Sequence, residues 1–310
     1  MHQMFAKKGS LGSLFLFLLF ANAAVFAGVD TQKQCDLSPS VLASSAHGSG
    51  EIERVVVQAV IDGDTLLLKG GRRIRVIGIN TPELAHHEQR LQPLATQAHQ
   101  RMLALLSGAG KAPRALPFAA ILKVGQDGKD HYGRTLGHIF TSKGENVTTR
   151  LLAEGWGFHV AIPPNVWGAD CYSYAEKIAK AQGVGVWGDS YYRLKSSEES
   201  ILSGGYKRIV GTIEKLFISK KVIWVALKGG VVLKLDRRDS AFHKGAVLES
   251  ILRSHGAGTL HNLPKIELQG WLIDRSTWGA VMAKKIKQGK RKRWQLNVRH
   301  HTQWQLRAAL

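Results

Sequence analysis

Two aspartates, an arginine and a glutamate fall within 22 residues: Asp62 and Asp64 in Asp62-Gly63-Asp64-Thr65, then Arg75, then Glu83 at the end of Asn80-Thr81-Pro82-Glu83. Carboxylate and amide oxygens suit a hard cation. A guanidinium can hold two phosphate oxygens and stabilise the added charge of a pentacoordinate transition state. A carboxylate at a rim can take a proton from water. The chemistry implied is cation-assisted hydrolysis of a phosphate ester. Each residue also has a plainer reading, since Asp and Gly dominate turns and a loop glutamate or surface arginine is ordinary. A second arginine, Arg134, closes His131-Tyr132-Gly133-Arg134, where Gly133 allows close backbone approach and Tyr132 can stack or bond near a phosphate.

These side chains need strands to hold them. Val55 to Ile61, Leu66 to Leu68 and Arg73 to Ile79 read as a three-stranded meander, with Lys69-Gly70-Gly71-Arg72 as a hairpin turn. Pro82 ends the third strand and leaves Asn80 and Glu83 at its rim. Leu94, Ala98, Met102 and Leu105 recur at helical spacing before Gly108 and Gly110 stop the run. Phe118 to Val124 and Thr135 to Phe140 predict two more strands around a turn at Gly125-Gln126-Asp127-Gly128, and Val147 to Glu154 and Tyr174 to Gln182 predict helices. The order β-β-β-α-β-β followed by helices predicts an OB-type five-stranded barrel with a helical extension.

The motifs in this order resemble the thermonuclease, or staphylococcal nuclease-like, family over about residues 55–191, including the late Gly185-Val186-Trp187. The resemblance implies a calcium-dependent phosphodiesterase that cleaves DNA and RNA with little sequence preference. Carried over by position, Asp64, Asn80 and the Thr81 carbonyl would bind calcium with Asp62 behind them, Glu83 would activate water, and Arg75 and Arg134 would hold the phosphate. The family usually has an aspartate where this chain has Asn80, and an amide adds no negative charge, so weaker calcium binding or relaxed metal choice is expected, not loss of the site. His159-Val160-Ala161-Ile162-Pro163-Pro164 stands where better-known members carry nucleotide-stacking tyrosines. His86-His87-Glu88 reads as a polar surface loop in preference to a transition-metal site.

The formal net charge is +20 over 310 residues, and it is concentrated. Residues 206–310 carry 22 Lys and Arg against 6 Asp and Glu, which implies an anionic partner for that half. Its pattern repeats the first half: strands at Ile209 to Ile218, Val222 to Leu227 and Val231 to Leu235, a helix at Ala246 to Arg253, and strands at Ile266 to Ile273 and Trp294 to Val298. A second OB-like barrel is expected. Within it, Lys284 to Trp294 holds eight basic or aromatic residues in eleven. Lys290, Arg291, Lys292 and Arg293 are the expected nucleic-acid contacts, and Trp271, Trp278, Trp294 and Trp304 offer either stacking faces or core. Anionic envelope lipid is the other partner such a run could bind.

Lys7 and Lys8, the apolar run Leu11 to Phe20 and small residues up to Ala27 read as a cleavable export signal. A secreted or periplasmic protein follows, and Cys35 and Cys171 could then form one disulfide or remain free. Asn146-Val147-Thr148 matches a glycosylation sequon. The expected organisation is a signal at 1–27, a linker at 28–50, a catalytic domain at 51–194, a junction at 195–205 and a basic accessory domain at 206–310. The competing reading of the whole is a catalytically inactive nucleic-acid-binding or envelope-associated OB protein.

Overall fold

Val55 and Val57, Leu66 and Leu68, and Ile74 and Val76 alternate with more exposed residues along their strands, and all six are buried. That period-two pattern curls a sheet around one apolar interior. The computed structural model describes residues 35–44, 52–85, 90–108, 117–243 and 245–307. The expected signal and His86-His87-Glu88 lie outside the described residues.

After a short helix α1 (Pro39–Ser44) come β1 (Ile52–Val60), β2 (Thr65–Leu68), β3 (Arg73–Val76), β4 (Ile79–Asn80), α2 (Ala95–Ser107), β5 (Phe118–Lys129) and β6 (Thr135–Thr141). β1, β2, β3, β6 and β5 close a barrel in that order, with β3 and β6 parallel and the other pairs antiparallel. This is the expected OB barrel. Ala95, Ala98, Met102 and Leu106 form the buried face of α2, and Met102 and Leu106 belong to the barrel's core cluster. One turn differs from expectation. β5 runs through Gly125 and Gly128 to Lys129, and the chain reverses at 130–133, because Asp130 Oδ1 accepts from Tyr132 N at 3.0 Å and Arg134 N at 2.9 Å. Gly133 completes the turn at φ 79°.

α3 (Val147–Ala153), β7 (Phe158–His159) and α4 (Ala169–Gln182) follow. α4 begins five residues earlier than its apolar spacing predicts, which brings in Cys171 and Tyr172. Cys171 is joined to Cys35 by a disulfide across 136 residues. Asn146 is fully buried, caps α3 by accepting from Thr149 N at 3.1 Å, and donates to Cys35 O at 3.1 Å and Tyr172 Oη at 3.0 Å. The sequon is therefore inaccessible in the folded chain.

The second half repeats much of this strand order in one eight-stranded sheet. Its strands are β8 (Lys195–Ser196), β9 (Gly205–Gly211), β10 (Ile213–Ile218), β11 (Val222–Leu227), β12 (Val231–Asp236), β13 (Ile266–Asp274), β14 (Trp294–Asn297) and β15 (Trp304–Leu306). β10 pairs with β11, β11 with β12, β12 with β14 in parallel, β14 with β13, and β13 with β9. β9 and β10, at opposite ends of that strand order, are separated in the chain by Thr212 alone. Helices α5 (Ser240–His243) and α6 (Ala246–Gly256) lie between β12 and β13, where α2 lies between the corresponding strands of the first barrel. A separate core cluster includes Ile209, Val225, Leu233, Leu268 and Leu296. The basic run is not only a loop: α7 (Ala280–Lys287) takes up its first part. Trp294 and Trp304 are buried core, whereas Trp271 and Trp278 are exposed.

A buried polar network joins the two barrels. His159 Nδ1 donates to Gly78 O at 3.1 Å and Nε2 accepts from Thr302 Oγ1 at 3.1 Å, and burial holds its pKa down to about 4, so the ring is neutral. Glu176 accepts from His159 N at 2.7 Å and from Gln269 Nε2 at 2.8 and 2.9 Å. Burial pushes the Glu176 carboxyl up to about 7 from its ordinary 4.5. A raised acid contributes stability that is complete below pH 4.5 and lost as pH rises through about 7. Relative to Glu176→Gln, the parent should therefore lose about 3 kcal/mol of unfolding free energy between pH 4 and 8. Urea denaturation of both proteins across that range checks this, and parallel profiles would show an ordinary carboxyl.

Candidate active site

The β1–β2 turn is held by its own side chains. Asp62 Oδ1 accepts from Asp64 N at 2.8 Å, and the Ile61 N–H reaches Thr65 O at 2.8 Å. Gly63 has no room for a side chain, since a Cβ there would stand 2.7 Å from Cγ2 and Oγ1 of Thr81. That close approach lets the turn touch the strand rim at residues 80–83. Asp64 Oδ2 accepts from Thr81 N at 2.8 Å and Thr81 Oγ1 at 3.1 Å, and Oδ1 accepts from Thr65 Oγ1 at 3.2 Å.

Arg75, on β3, inserts its guanidinium into the same place. Nη1 lies 3.1 Å from Asp64 Oδ1 and donates to Val76 O and Ile79 O at 2.9 Å each, and Nη2 donates to Asn80 Oδ1 at 3.3 Å. The arginine thus bridges the aspartate and the asparagine. Asn80 is itself placed by β4, which pairs with β7. Glu83 is fixed by a reciprocal backbone clasp, its N–H donating to Gln92 Oε1 at 3.1 Å while Gln92 N donates to Glu83 O at 3.0 Å.

Arg134 comes from the β5–β6 hairpin. Its Nε donates to Asp130 Oδ2 at 2.7 Å and its guanidinium lies 5.4 Å from the Tyr132 ring centre. Burial raises the Asp130 carboxyl, but the bonds from Arg134 outweigh it and leave the group below its ordinary value. The charge-assisted pair aims Arg134 while its planar head stays at the cleft.

One cleft of about 740 Å³ is lined by Asp62, Asp64, Arg75, Asn80, Glu83, Tyr132 and Arg134 together. Thr81 stands behind it through its bonds to Asp64. Two lining residues come from the second barrel, Trp271 and Arg299. The sequence leaves Trp271 as either a stacking face or core of its own half and gives no sign of Arg299, because neither spacing nor composition signals a contact between barrels. Asp130 and Gln92, which orient Arg134 and Glu83, likewise carry no motif.

The oxygen donors fit a hard cation. Burial, and then the neighbouring Asp64 carboxylate, push the Asp62 carboxyl up to about 7, a sign of crowded negative charge that a cation would relieve. No group of three or more His, Cys, Asp or Glu side chains is poised to hold a metal among the described residues. A cation would therefore depend on the amide, carbonyl and water oxygens that hard ions accept.

The basic run lies elsewhere. Lys290, Arg291 and Lys292 border a second cleft of about 640 Å³ with Lys215, Phe217, Trp224 and Arg275. Phe217 pairs with Trp224 across β10 and β11. Lys292 is occupied by Glu214 at 2.6 Å and Arg293 by Asp274 at 2.7 Å, which leaves Lys290 and Arg291 as the run's less committed charges.

Residues 73–189 match the family model described as Staphylococcal nuclease homologue. Endonuclease YhcR of Bacillus subtilis is 31% identical over 153 residues, which are 46% of this chain and 12% of that protein. The thermonuclease of Staphylococcus intermedius is 29% identical over 44% of this chain and 76% of its own length, and that of Staphylococcus hyicus 27% identical over 53% and 88%. The match covers a small part of YhcR and most of the two thermonucleases. Together with the closed barrel and its rim cleft, these matches support a staphylococcal nuclease-like family for the region around residues 73–189.

Proposed function

We propose that this chain is a nuclease that hydrolyses phosphodiester bonds of DNA and RNA with little sequence preference, with calcium as its cation. The observation that carries the reading is the convergence of Arg75, Glu83 and Arg134 with Asp62, Asp64 and Asn80 on one cleft. A binding protein has no need of a glutamate in the same cleft as two phosphate-seeking arginines.

Asp64, Asn80 and the Thr81 carbonyl would hold calcium, backed by Asp62, and the ion would serve there as Lewis acid and template. Arg134 takes the non-bridging phosphate oxygens from the hairpin side. Arg75 takes them from the other by giving up part of its present bonding to Asp64 and Asn80. Glu83 accepts a proton from water as the water oxygen bonds to phosphorus. The opposite P–O bond breaks, its electron pair leaves with the departing oxygen, and that oxygen takes up a proton. Both guanidiniums meet more negative charge in the transition state than in the ground state, which is where binding energy accelerates the reaction.

The organisation proposed is a catalytic domain over residues 51–194 and an accessory domain over 206–310. In the latter, Lys290 and Arg291, next to Phe217 and Trp224, hold the strand by charge and stacking without reading sequence. Export is supported by the signal-like start and by the Cys35–Cys171 disulfide, which persists in oxidising compartments. No helix among the described residues is long and apolar enough to cross a membrane.

Three outcomes test the reading. Digestion of single-stranded DNA and RNA should require calcium, stop with chelator, and fall by about 10²-fold or more in Glu83→Gln, as loss of a general base predicts. Cleavage that survives both treatments would overturn the mechanism. Asn80→Asp should lower the calcium concentration for half-maximal rate by restoring a full charge to the donor set, as a calcium titration of the rate will show. Replacing Lys290 and Arg291 together by Gln should reduce the slope of log affinity against log salt by about 1.4 on single strands, measured by binding titration in cleavage-deficient Glu83→Gln.

A further inference from the structure

We infer that Trp271, a residue of the second barrel, is the floor of a nucleobase subsite in the catalytic cleft, and that it receives an unstacked base of single-stranded nucleic acid beside the scissile phosphate. The inference rests on the nuclease reading above. It adds that the second barrel is part of the substrate site as well as an external anchor.

The first barrel offers its cleft little to stack on at this edge. The segment 159–164 runs His159-Val160-Ala161-Ile162-Pro163-Pro164, and its one ring, His159, is buried beneath the sheet. Ile162 and Pro163 line the cleft, and Trp271 lines it with them. An aromatic plane therefore reaches this part of the cleft from the other barrel.

The indole is both open and braced. Trp271 is 39% exposed, while Gln269 and Leu272 on the same strand are 8% and 2%. An exposed tryptophan alone means little. This one faces Tyr206 across the β9–β13 ladder, with ring centres 5.1 Å apart at 89°. Tyr206 in turn stacks on Phe158 at 5.1 Å and donates its hydroxyl to His159 O at 3.2 Å. Phe158 pairs with Asn80 across β4 and β7. An unbroken series of contacts thus sets the indole against the strand that carries Asn80. A rigid ring loses little entropy on binding, which suits it to stacking.

Charge in the same cleft favours a nucleotide over an apolar ligand. Arg299 also lines it, anchored by Asp239 at 3.0 Å and by donation to Pro163 O at 3.2 Å. A plane for the base with cations for its phosphates is the combination that binds single strands whatever their sequence. Bases within a duplex are already stacked, so the subsite should favour single strands.

The test uses the full chain. In wild type, Trp271→Ala should raise KM for a single-stranded oligonucleotide about tenfold, the lower part of the range for one stacked base, with a smaller change in kcat. KM for duplex should move less, so the preference for single strands shrinks. Trp271→Phe should stay close to wild type, and Trp271→Leu, which still covers Tyr206 but has no ring, should behave like Trp271→Ala. In the Glu83→Gln background, quenching of tryptophan fluorescence by oligothymidylate should fall in Trp271→Phe, while binding weakens about tenfold only in the Ala and Leu variants. Unchanged KM and unchanged oligothymidylate affinity in a folded Trp271→Leu would overturn the inference while leaving the nuclease reading intact. If wild type cleaves nothing, the nuclease reading fails, and the binding measurements alone decide the subsite.

Discussion

The Asp64 carboxylate is the tie on which the cleft depends. Both its oxygens are spent on holding other segments, Oδ2 on Thr81 and Oδ1 on Thr65 and Arg75. It thereby ties the rim loop that ends in Glu83 to the β1–β2 turn and β3, which the β2–β3 ladder and the bond from Val76 N to Asp64 O at 2.8 Å already hold together. The carboxylate is nearly buried, where losing one partner of a charge-assisted bond costs about 1–3 kcal/mol or more. Gly63 makes the tie possible by letting the turn backbone lie against Thr81. Arg75 occupies the space between Asp64 and Asn80, so the carboxylate, the guanidinium and the amide hold one another in place.

The network around His159 has the same character one layer further out. β4 is two residues long and pairs only with β7, so the position of Asn80 is only as firm as that of Phe158 and His159. Those two are clamped from the second barrel by Tyr206, Gln269 and Thr302, and from α4 by Glu176. The accessory barrel is therefore mechanically continuous with the rim of the catalytic one. Its removal would disturb more than the electrostatic attraction it contributes.

Much of this was legible in the sequence because barrel-forming strands obey a local rule. Val222 to Leu227 and Leu66 to Leu68 are short apolar runs bounded by turn residues and can be read directly, and the Gly-Gly hairpins at 70–71 and 229–230 mark the repeat. The site residues were legible because their motifs lie within one hairpin and its rim. The turn at 130–133 was misplaced by five residues, since Gly125 and Gly128 look like punctuation while the controlling group is the side chain of Asp130. Trp271 and Arg299 could not be placed in the cleft because barrel-to-barrel contact depends on tertiary packing that leaves no periodic trace. Asn146 illustrates the opposite error: a surface motif by pattern, it serves as a buried cap joining α3 to the arm that carries Cys35.

Because the second half repeats much of the first barrel's strand order, corresponding corners can be compared. Where the first barrel turns from β1 to β2 through Asp62-Gly63-Asp64, the second half turns from β10 to β11 through Ser219-Lys220-Lys221, and the ladder position of Arg75, opposite Thr65, is matched on β12 by Asp236, opposite Val222. The strand order is kept and the charges at that corner are redistributed. The second corner has two lysines in its turn and a single carboxylate, Asp236, which lies 2.9 Å from Arg238 and 4.0 Å from Lys234. One strand order, used twice in one chain, thus carries an acid-rich turn with an arginine opposite it in one half and a lysine turn with an aspartate opposite it in the other, so that the charge order across the ladder is reversed between the two.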